Sequence, residues 1–476
     1  MNRFTRRLWI ALWIMAAPLL LAAQPPSATS RTLPRTLRVD YVHQGTAAAE
    51  TFGLDRVALE PLPWPGNPAK PVDDSMLGKF KFEVRNAKTN DLLYSRGFAS
   101  IFGEWQDTTE ATKRSRAFSE SFRFPKPEVL VDIHLFRRAE DNGWKEVWVL
   151  NVDPNAQDVD SSAPPSAGSL VELQKSGDSS SKVDFLILGD GYTAAERPKF
   201  IKDAKRLAAL LFAVSPYKEH KSDFNVWGLC PPSKQSGISR PSTGIHQRTP
   251  VGTAYDAFGS ERYVLTTDNR AFRDFASQAP YDFVEILVNG RTYGGGGIHQ
   301  LYSTVASDNA FSPYIFVHEF GHHLAGLADE YYTSDSMLEA GKPRMEPWEP
   351  NVTADAKHPK WLALVSPGIT LPTPWKKSEF EIFSHGIQAE RRAIRAAKKP
   401  ENVMEDLFRR ELEHETKLLG TDTHSGKVGA FEGANYEATG YFRSQEDCIM
   451  FTRDEVGFCA ACRQAIEGVI VQYTGR

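Results

Sequence analysis

Alternation of apolar and polar residues dominates the chain from about residue 32 to 154. In Leu37-Arg38-Val39-Asp40-Tyr41 and Lys79-Phe80-Lys81-Phe82-Glu83-Val84 the repeat is two residues, which turns one side of an extended strand inward and the other to solvent. Segments 131–136 and 146–152 read as a hairpin that turns at Asp141-Asn142-Gly143, residues that readily take positive φ. With no long helical period in this part, a β-sandwich is expected over 31–154. Ser, Pro, Ala, Gly and Asp then prevail, as in Ala163-Pro164-Pro165-Ser166 and Ser179-Ser180-Ser181, so 155–180 is expected to be a linker.

The pattern changes at 181. An apolar strand at 183–188 runs into Gly189-Asp190-Gly191 and then a helix with Phe200, Ala204, Leu207 and Leu211 on one face, the opening of an α/β domain. Thr193 and Glu196 have capping-box spacing. Gly189 to Ala194 also fits the loose dinucleotide pattern GxGxxA, but 210–214 offers no acidic residue to hold a ribose, so the segment reads as a structural turn and no organic cofactor is expected. Segments 284–288 and 301–306 read as strands around the glycine run Gly294 to Gly297, and an edge strand there suits an extended peptide. A charged helical stretch, 388–418, lies within an expected helical insertion at about 361–427.

Composition and the first residues narrow the function. Lys and Arg number 56 and Asp and Glu 60, a net charge of −4, which excludes a protein that coats nucleic acid by bulk positive charge. Arg3, Arg6 and Arg7 precede an apolar run to Ala23, interrupted by Pro18; residues 1–23 are expected to be a cleaved signal peptide, with no stable membrane insertion afterwards. The destination is then periplasmic, cell-surface or extracellular. In such an oxidising compartment Cys448, Cys459 and Cys462 are expected to hold a disulfide, with Cys230 the fourth thiol; four cysteines allow three pairings. A redox role for Cys459-Ala460-Ala461-Cys462 is disfavoured, because no thioredoxin-like strand precedes it.

The chemistry lies in His318-Glu319-Phe320-Gly321-His322. Histidines four apart leave the same face of a helix and can grip one zinc ion, and Glu319 stands where a general base acting on water would. Apolar Ile315, Phe316, Phe320, Leu324 and Leu327 give that helix a buried side. A catalytic zinc takes three protein ligands. In metzincins the third follows a glycine in HExxHxxGxxH or its Asp variant. Here Ala325 and Ala328 occupy those positions, and Gly326 and Asp329 come one place later with the same interval between them. Asp329 is therefore the expected third ligand, Glu330 its nearest competitor, and His323 is disfavoured because it projects about 100° around the helix from His322.

The run from His318 through Gly326-Leu327-Ala328-Asp329-Glu330-Tyr331-Tyr332 resembles the bacterial IgA-peptidase-type zinc metallopeptidases, which share the longer spacing. Leu188-Gly189-Asp190-Gly191-Tyr192-Thr193, Glu349-Pro350-Asn351-Val352-Thr353, and Phe431-Glu432-Gly433-Ala434-Asn435-Tyr436 followed by Cys448-Ile449-Met450 extend the likeness over the second half, and the β-rich first half is similar to the domain that accompanies this peptidase. The resemblance implies a multidomain α+β and α/β chain: an N-terminal β-sandwich, then a zincin catalytic domain of metzincin-like fold over 181–476, with Met450 in a methionine turn beneath the metal. It also implies an exported zinc endopeptidase acting on protein or peptide substrates, with one catalytic Zn²⁺. Tyr331, Tyr332, Tyr436 and Tyr441 are all candidates to line the cleft or donate to the oxyanion. The alternative is a secreted protein- or glycan-binding module with an inactive zinc domain, which has no need of Glu319. Nothing in the sequence specifies a pocket for a particular side chain or an oligomeric state.

Overall fold

The alternating first third folds into seven antiparallel strands and one short helix. In the computed structural model, which describes residues 33–333, 345–454 and 456–475, these are β1 (Arg35–Gly45), β2 (Glu50–Pro63), β3 (Phe80–Asn86), β4 (Leu92–Phe98), α1 (Ile101–Gln106), β5 (Arg116–Pro125), β6 (Val131–Arg138) and β7 (Trp144–Val152). The signal peptide expected at 1–23 lies outside the described residues. The strands form two sheets, ordered β2-β1-β5 and β4-β3-β6-β7. Leu37, Val39 and Tyr41 of β1, Phe122 and Phe124 of β5, Phe82 and Val84 of β3, and Ile133 and Leu135 of β6 share one apolar core, as the two-residue period requires. Asn142 takes φ +62° in the β6–β7 hairpin.

This unit carries a buried polar knot. Glu120 accepts from Tyr41 Oη at 2.9 Å, from His43 Nδ1 at 3.0 Å and from the Phe102 amide of α1 at 3.0 Å. Burial opposes charge on both titrating groups, but their pairing outweighs it: His43 is raised above its ordinary 6.5 and Glu120 lowered below 4.5. A raised histidine contributes stability that is complete below 6.5 and is lost as pH climbs through its folded value. A lowered carboxyl contributes stability that is complete above 4.5 and is lost as pH falls through its folded value. The His43→Gln variant is therefore expected to lose about 1.5–3 kcal/mol between those two limits, the worth of a hydrogen bond to a charged group. The deficit should shrink toward alkaline pH. Paired thermal melts across pH check this, and a deficit that stays constant from acid to alkali would overturn it.

The rest of the chain builds a mixed α/β domain from β8 (Val171–Gln174), β9 (Val183–Asp190), α2 (Arg197–Leu211), β10 (Phe224–Leu229), the two-residue ladder β11 (Thr253–Ala254) with β12 (Leu265–Thr266), α3 (Asn269–Ala276), β13 (Phe283–Val288), β14 (Gly295–Ile298), β15 (Tyr302–Ala306) and α4 (Ser312–Ala325). Its main sheet has the order β14-β15-β13-β9-β10-β8; the inner four strands are parallel and the two edges antiparallel. Residues 171–174, read as linker, are the outermost strand β8. A four-residue strand in a Ser-rich setting has too few alternations to stand out. Strand β9 is buried throughout: Val183, Phe185 and Ile187 face α2 and α4, while Leu186 and Leu188 face the opposite layer with α3, Phe102 and Trp105 of α1.

After α4 come β16 (Val352–Thr353), α5 (Lys377–Ala396), α6 (Glu401–Gly420), β17 (Phe431–Ala434), β18 (Glu437–Arg443) and the final helix α7 (Ala460–Thr474). The charged helical stretch is two helices, broken around Pro400, because proline cannot continue a helix that precedes it. Both helices also contribute to the core. Phe380, Ile387 and Ile394 of α5 and Met404, Leu407 and Phe408 of α6 join the core beneath α4. The glycine run is likewise more than a loop, since Gly295 to Ile298 is the edge strand itself. A Cβ on Gly297 would stand 2.3 Å from the Glu319 carbonyl oxygen and one on Gly295 2.5 Å from Ile315, so only glycine lets this strand lie directly on α4.

Candidate metal centre

Helix α4 starts with Pro313 in its first turn and ends where Gly326 takes φ +59°. A Cβ there would meet Trp348 at 2.6 Å, so the glycine both turns the chain out of the helix and admits the indole. The imidazoles of His318 and His322 leave one side of α4, with their Nε2 atoms 3.1 Å apart. The chain returns after Gly326 and brings Asp329 Oδ1 to 3.1 Å from His318 Nε2 and 3.2 Å from His322 Nε2.

The hydrogens on these groups are fixed from behind. His318 Nδ1 lies 2.9 Å from the Ile449 carbonyl and His322 Nδ1 2.5 Å from the Leu327 carbonyl. A carbonyl only accepts, so each Nδ1 carries a hydrogen, which leaves each Nε2 as the ring atom that faces the cluster and can ligate an ion. Asp329 Oδ1 is buried and has no hydrogen-bond donor, while its Oδ2 accepts from Tyr436 Oη. Three lone-pair atoms thus converge at 3.1–3.2 Å. Tetrahedral zinc, with ligand distances of about 2.0–2.1 Å, sets neighbouring donor atoms roughly 3.3–3.4 Å apart, so the residues fit such an ion.

Electrostatics point the same way. Burial alone would raise Asp329, but His322 and His318 hold its carboxyl well below the usual range. Burial alone would lower His322, which Asp329 instead pushes up to about 9. Glu319, one residue along α4 and half-buried, is raised by burial against the opposing effect of both histidines. His318, Glu319 and His322 offer ligand atoms all within 4.8 Å of one another. His323 is a core residue: Nε2 accepts the Val284 amide at 3.0 Å, Nδ1 faces the Ile298 carbonyl at 3.1 Å, and burial pushes it down to about 3.

Asp329 and Glu330 turn to opposite sides of one extended segment. Asn435 N donates to the Asp329 carbonyl at 3.0 Å and Tyr436 N to the Tyr331 carbonyl at 3.1 Å, whereas Glu330 N donates to Met450 O at 2.8 Å. The Glu330 carboxylate accordingly lies away from the imidazoles, taking the Asn351 amide at 2.9 Å. The β17–β18 hairpin turns on Asn435 and Tyr436 at φ +51° and +63°, an unusual conformation for tyrosine, and that turn lays the phenol on Asp329. The Tyr331 phenol accepts from Arg262 at 3.0 Å beside the cluster. Tyr332 stacks on Phe451 instead, and Tyr441 donates to the Met345 carbonyl. Met450 is fully buried; its sulfur would stand 3.3 Å from a Cβ on Gly321, directly beneath the HExxH helix.

Two groups at this site escaped sequence reading. Arg262, 56 residues before His318, carries no motif, and the Ile449 carbonyl is a backbone atom that no residue type announces. The expected disulfide is corrected: all four cysteines are free, and the sulfurs of Cys448 and Cys462 stand 3.9 Å apart against about 2.05 Å for a bond. Cys230 is held apart beside Gly189, its thiol pushed up to about 12 by burial. Asp190 of the GxGxxA segment is occupied within the fold, accepting from Thr249 Oγ1 at 2.7 Å and from the Thr253 amide at 3.0 Å.

An all-β unit of antiparallel sheets followed by a mixed α/β domain with HExxH on a buried helix defines a metallopeptidase, a hydrolase. Residues 171–470 match the family described as IgA Peptidase M64, and residues 29–149 match its companion, the Peptidase M64 N-terminus. The chain belongs to the IgA peptidase M64 family. No curated protein sequence matches it. Among the described residues no helix is long and apolar enough to cross a membrane.

Proposed function

We propose that this metallopeptidase is an exported zinc endopeptidase of metzincin-like fold, preceded by a β-sandwich, in which His318, His322 and Asp329 hold the ion and Glu319 is the general base. The observation that carries the reading is the convergence of two Nε2 lone pairs and an undonated carboxylate oxygen at 3.1–3.2 Å. A zinc ion bound there supplies Lewis acidity toward water and toward the scissile carbonyl. Glu319 takes the proton of the attacking water on its carboxylate and returns it to the leaving amine. The raised affinity of Glu319 for protons suits both transfers. Tyr436 and the Ile449 carbonyl orient Asp329 and His318, and Met450 floors the helix as an apolar contact.

The edge strand β14 lies against α4; Gly295 is paired outward with the segment 262–264, so an extended substrate backbone would pair along the strand from Gly297 onward, a contact that favours unfolded segments over a particular side chain. Stripping the mature chain with a strong chelator is expected to abolish cleavage of a denatured protein, and stoichiometric Zn²⁺ to restore it. A fully zinc-loaded preparation that cuts no denatured protein would overturn the proposal.

A further inference from the structure

The corrected disulfide leaves an unexplained cluster. Cys448, Cys459, Cys462 and Glu330 are all buried, and their ligand atoms lie within 4.8 Å of one another. Three edges of the cluster are Cys448 Sγ to Cys462 Sγ at 3.9 Å, Cys459 Sγ to Glu330 Oε1 at 3.6 Å, and Cys462 Sγ to Glu330 Oε1 at 3.5 Å. Zinc with sulfur at about 2.3 Å and oxygen at about 2.0–2.2 Å has tetrahedral edges of roughly 3.6–3.8 Å. We propose that these four side chains form a second, structural zinc site behind the catalytic one.

Further features of the surroundings support a metal site here. Cys448 Sγ accepts the Cys459 amide at 3.2 Å and the Met450 amide at 3.5 Å, and Cys459 Sγ accepts the Cys462 amide at 3.5 Å. Cys459 is the N-cap of the fifteen-residue helix α7, where the helix dipole favours negative charge. Glu330 Oε2 is buried without a hydrogen-bond partner, while Oε1 is oriented by Asn351 in the way an outer-shell amide orients a ligating carboxylate. Two residues between Cys459 and Cys462 is a spacing that suits both as ligands of one ion. The surplus negative charge of three thiolates and a carboxylate around a dication lies near the buried guanidinium of Arg443.

The position gives the site its purpose. Glu330 follows Asp329, and Cys448 precedes Ile449, whose carbonyl holds His318; Met450 carries the carbonyl that takes the Glu330 amide. An ion at the cysteines therefore fastens the third-ligand segment, the methionine loop and α7 to one another, so that it positions catalytic ligands without touching substrate.

The experiment is a metal count on the full mature chain purified under reducing conditions, paired with Co²⁺ substitution. Wild type is expected to hold two zinc ions, His318→Ala with His322→Ala one, and Cys459→Ser one. The near-ultraviolet thiolate-to-cobalt absorption should persist in the histidine variant and vanish in Cys459→Ser. Should Cys459→Ser fail to fold, that absorption in wild type and in the histidine variant decides. A single zinc that follows the histidines, with thiols that titrate as free or a Cys448–Cys462 disulfide in the mass spectrum, would overturn this site and leave the catalytic reading intact. A single zinc that follows the cysteines would instead overturn the catalytic reading.

Discussion

Replacing Glu319 by glutamine is expected to lower peptide hydrolysis by about 10²- to 10⁴-fold, the usual worth of a positioned general base, with the zinc content unchanged. The separation of the two effects follows from geometry. The three atoms that converge belong to His318, His322 and Asp329, whereas Glu319 stands beside them on the open, half-buried side of α4. Glutamine keeps the volume and the packing against Gly295, whose built Cβ would lie 3.1 Å from Glu319 Cγ, but cannot accept a proton. The checks are initial rates on a denatured protein alongside metal analysis of the same preparation. Undiminished proteolysis by a clean, zinc-loaded Glu319→Gln preparation would remove Glu319 from the mechanism.

How far the sequence reaches is clear from individual residues. His318 and His322 were legible because helix periodicity alone places residues four apart on one face. Asp329 was legible less directly, through its interval from Gly326, and the reason that interval works is local: the glycine's positive φ ends the helix, and the residues beyond it bond alternately to the β17–β18 turn and to Met450. What the sequence did not carry is the direction of each carboxylate: along this segment neighbours alternate sides, so that Asp329 meets imidazoles and Glu330 meets thiols. Sequence alone misread the cysteines because three thiols near the C-terminus and an expected export signal suggest a bridge. Nothing local connects them to a carboxylate 132 residues before Cys462, and only the fold brings those two side chains to 3.5 Å. The glycine run, around which strands were expected, is itself a strand: its close approach to α4 is a tertiary constraint that overrides glycine's poor strand preference.

The Asp329→Ala variant should lose both catalysis and the ion at the histidines. Removing an outer-shell partner of a metal ligand costs roughly 10- to 100-fold in affinity or activity, and loss of a ligand should exceed that. Tyr436→Phe provides the graded comparison. It deletes only the phenol that donates to Asp329 Oδ2, leaves Oδ1 facing the imidazoles, and should fall within that 10- to 100-fold range. Glu330→Gln tests the opposite side of the same segment, and its carboxylate makes no contact with the imidazole pair among the described residues, so the ion at the histidines should survive it. Competition with a chromophoric chelator, performed in the Cys459→Ser background so that only the histidine site is counted, ranks the three: Asp329→Ala weakest, Tyr436→Phe intermediate, Glu330→Gln near its parent. The reverse order, with Glu330→Gln losing zinc that Asp329→Ala retains, would exchange the roles of the two carboxylates and with them the geometry on which the mechanism rests.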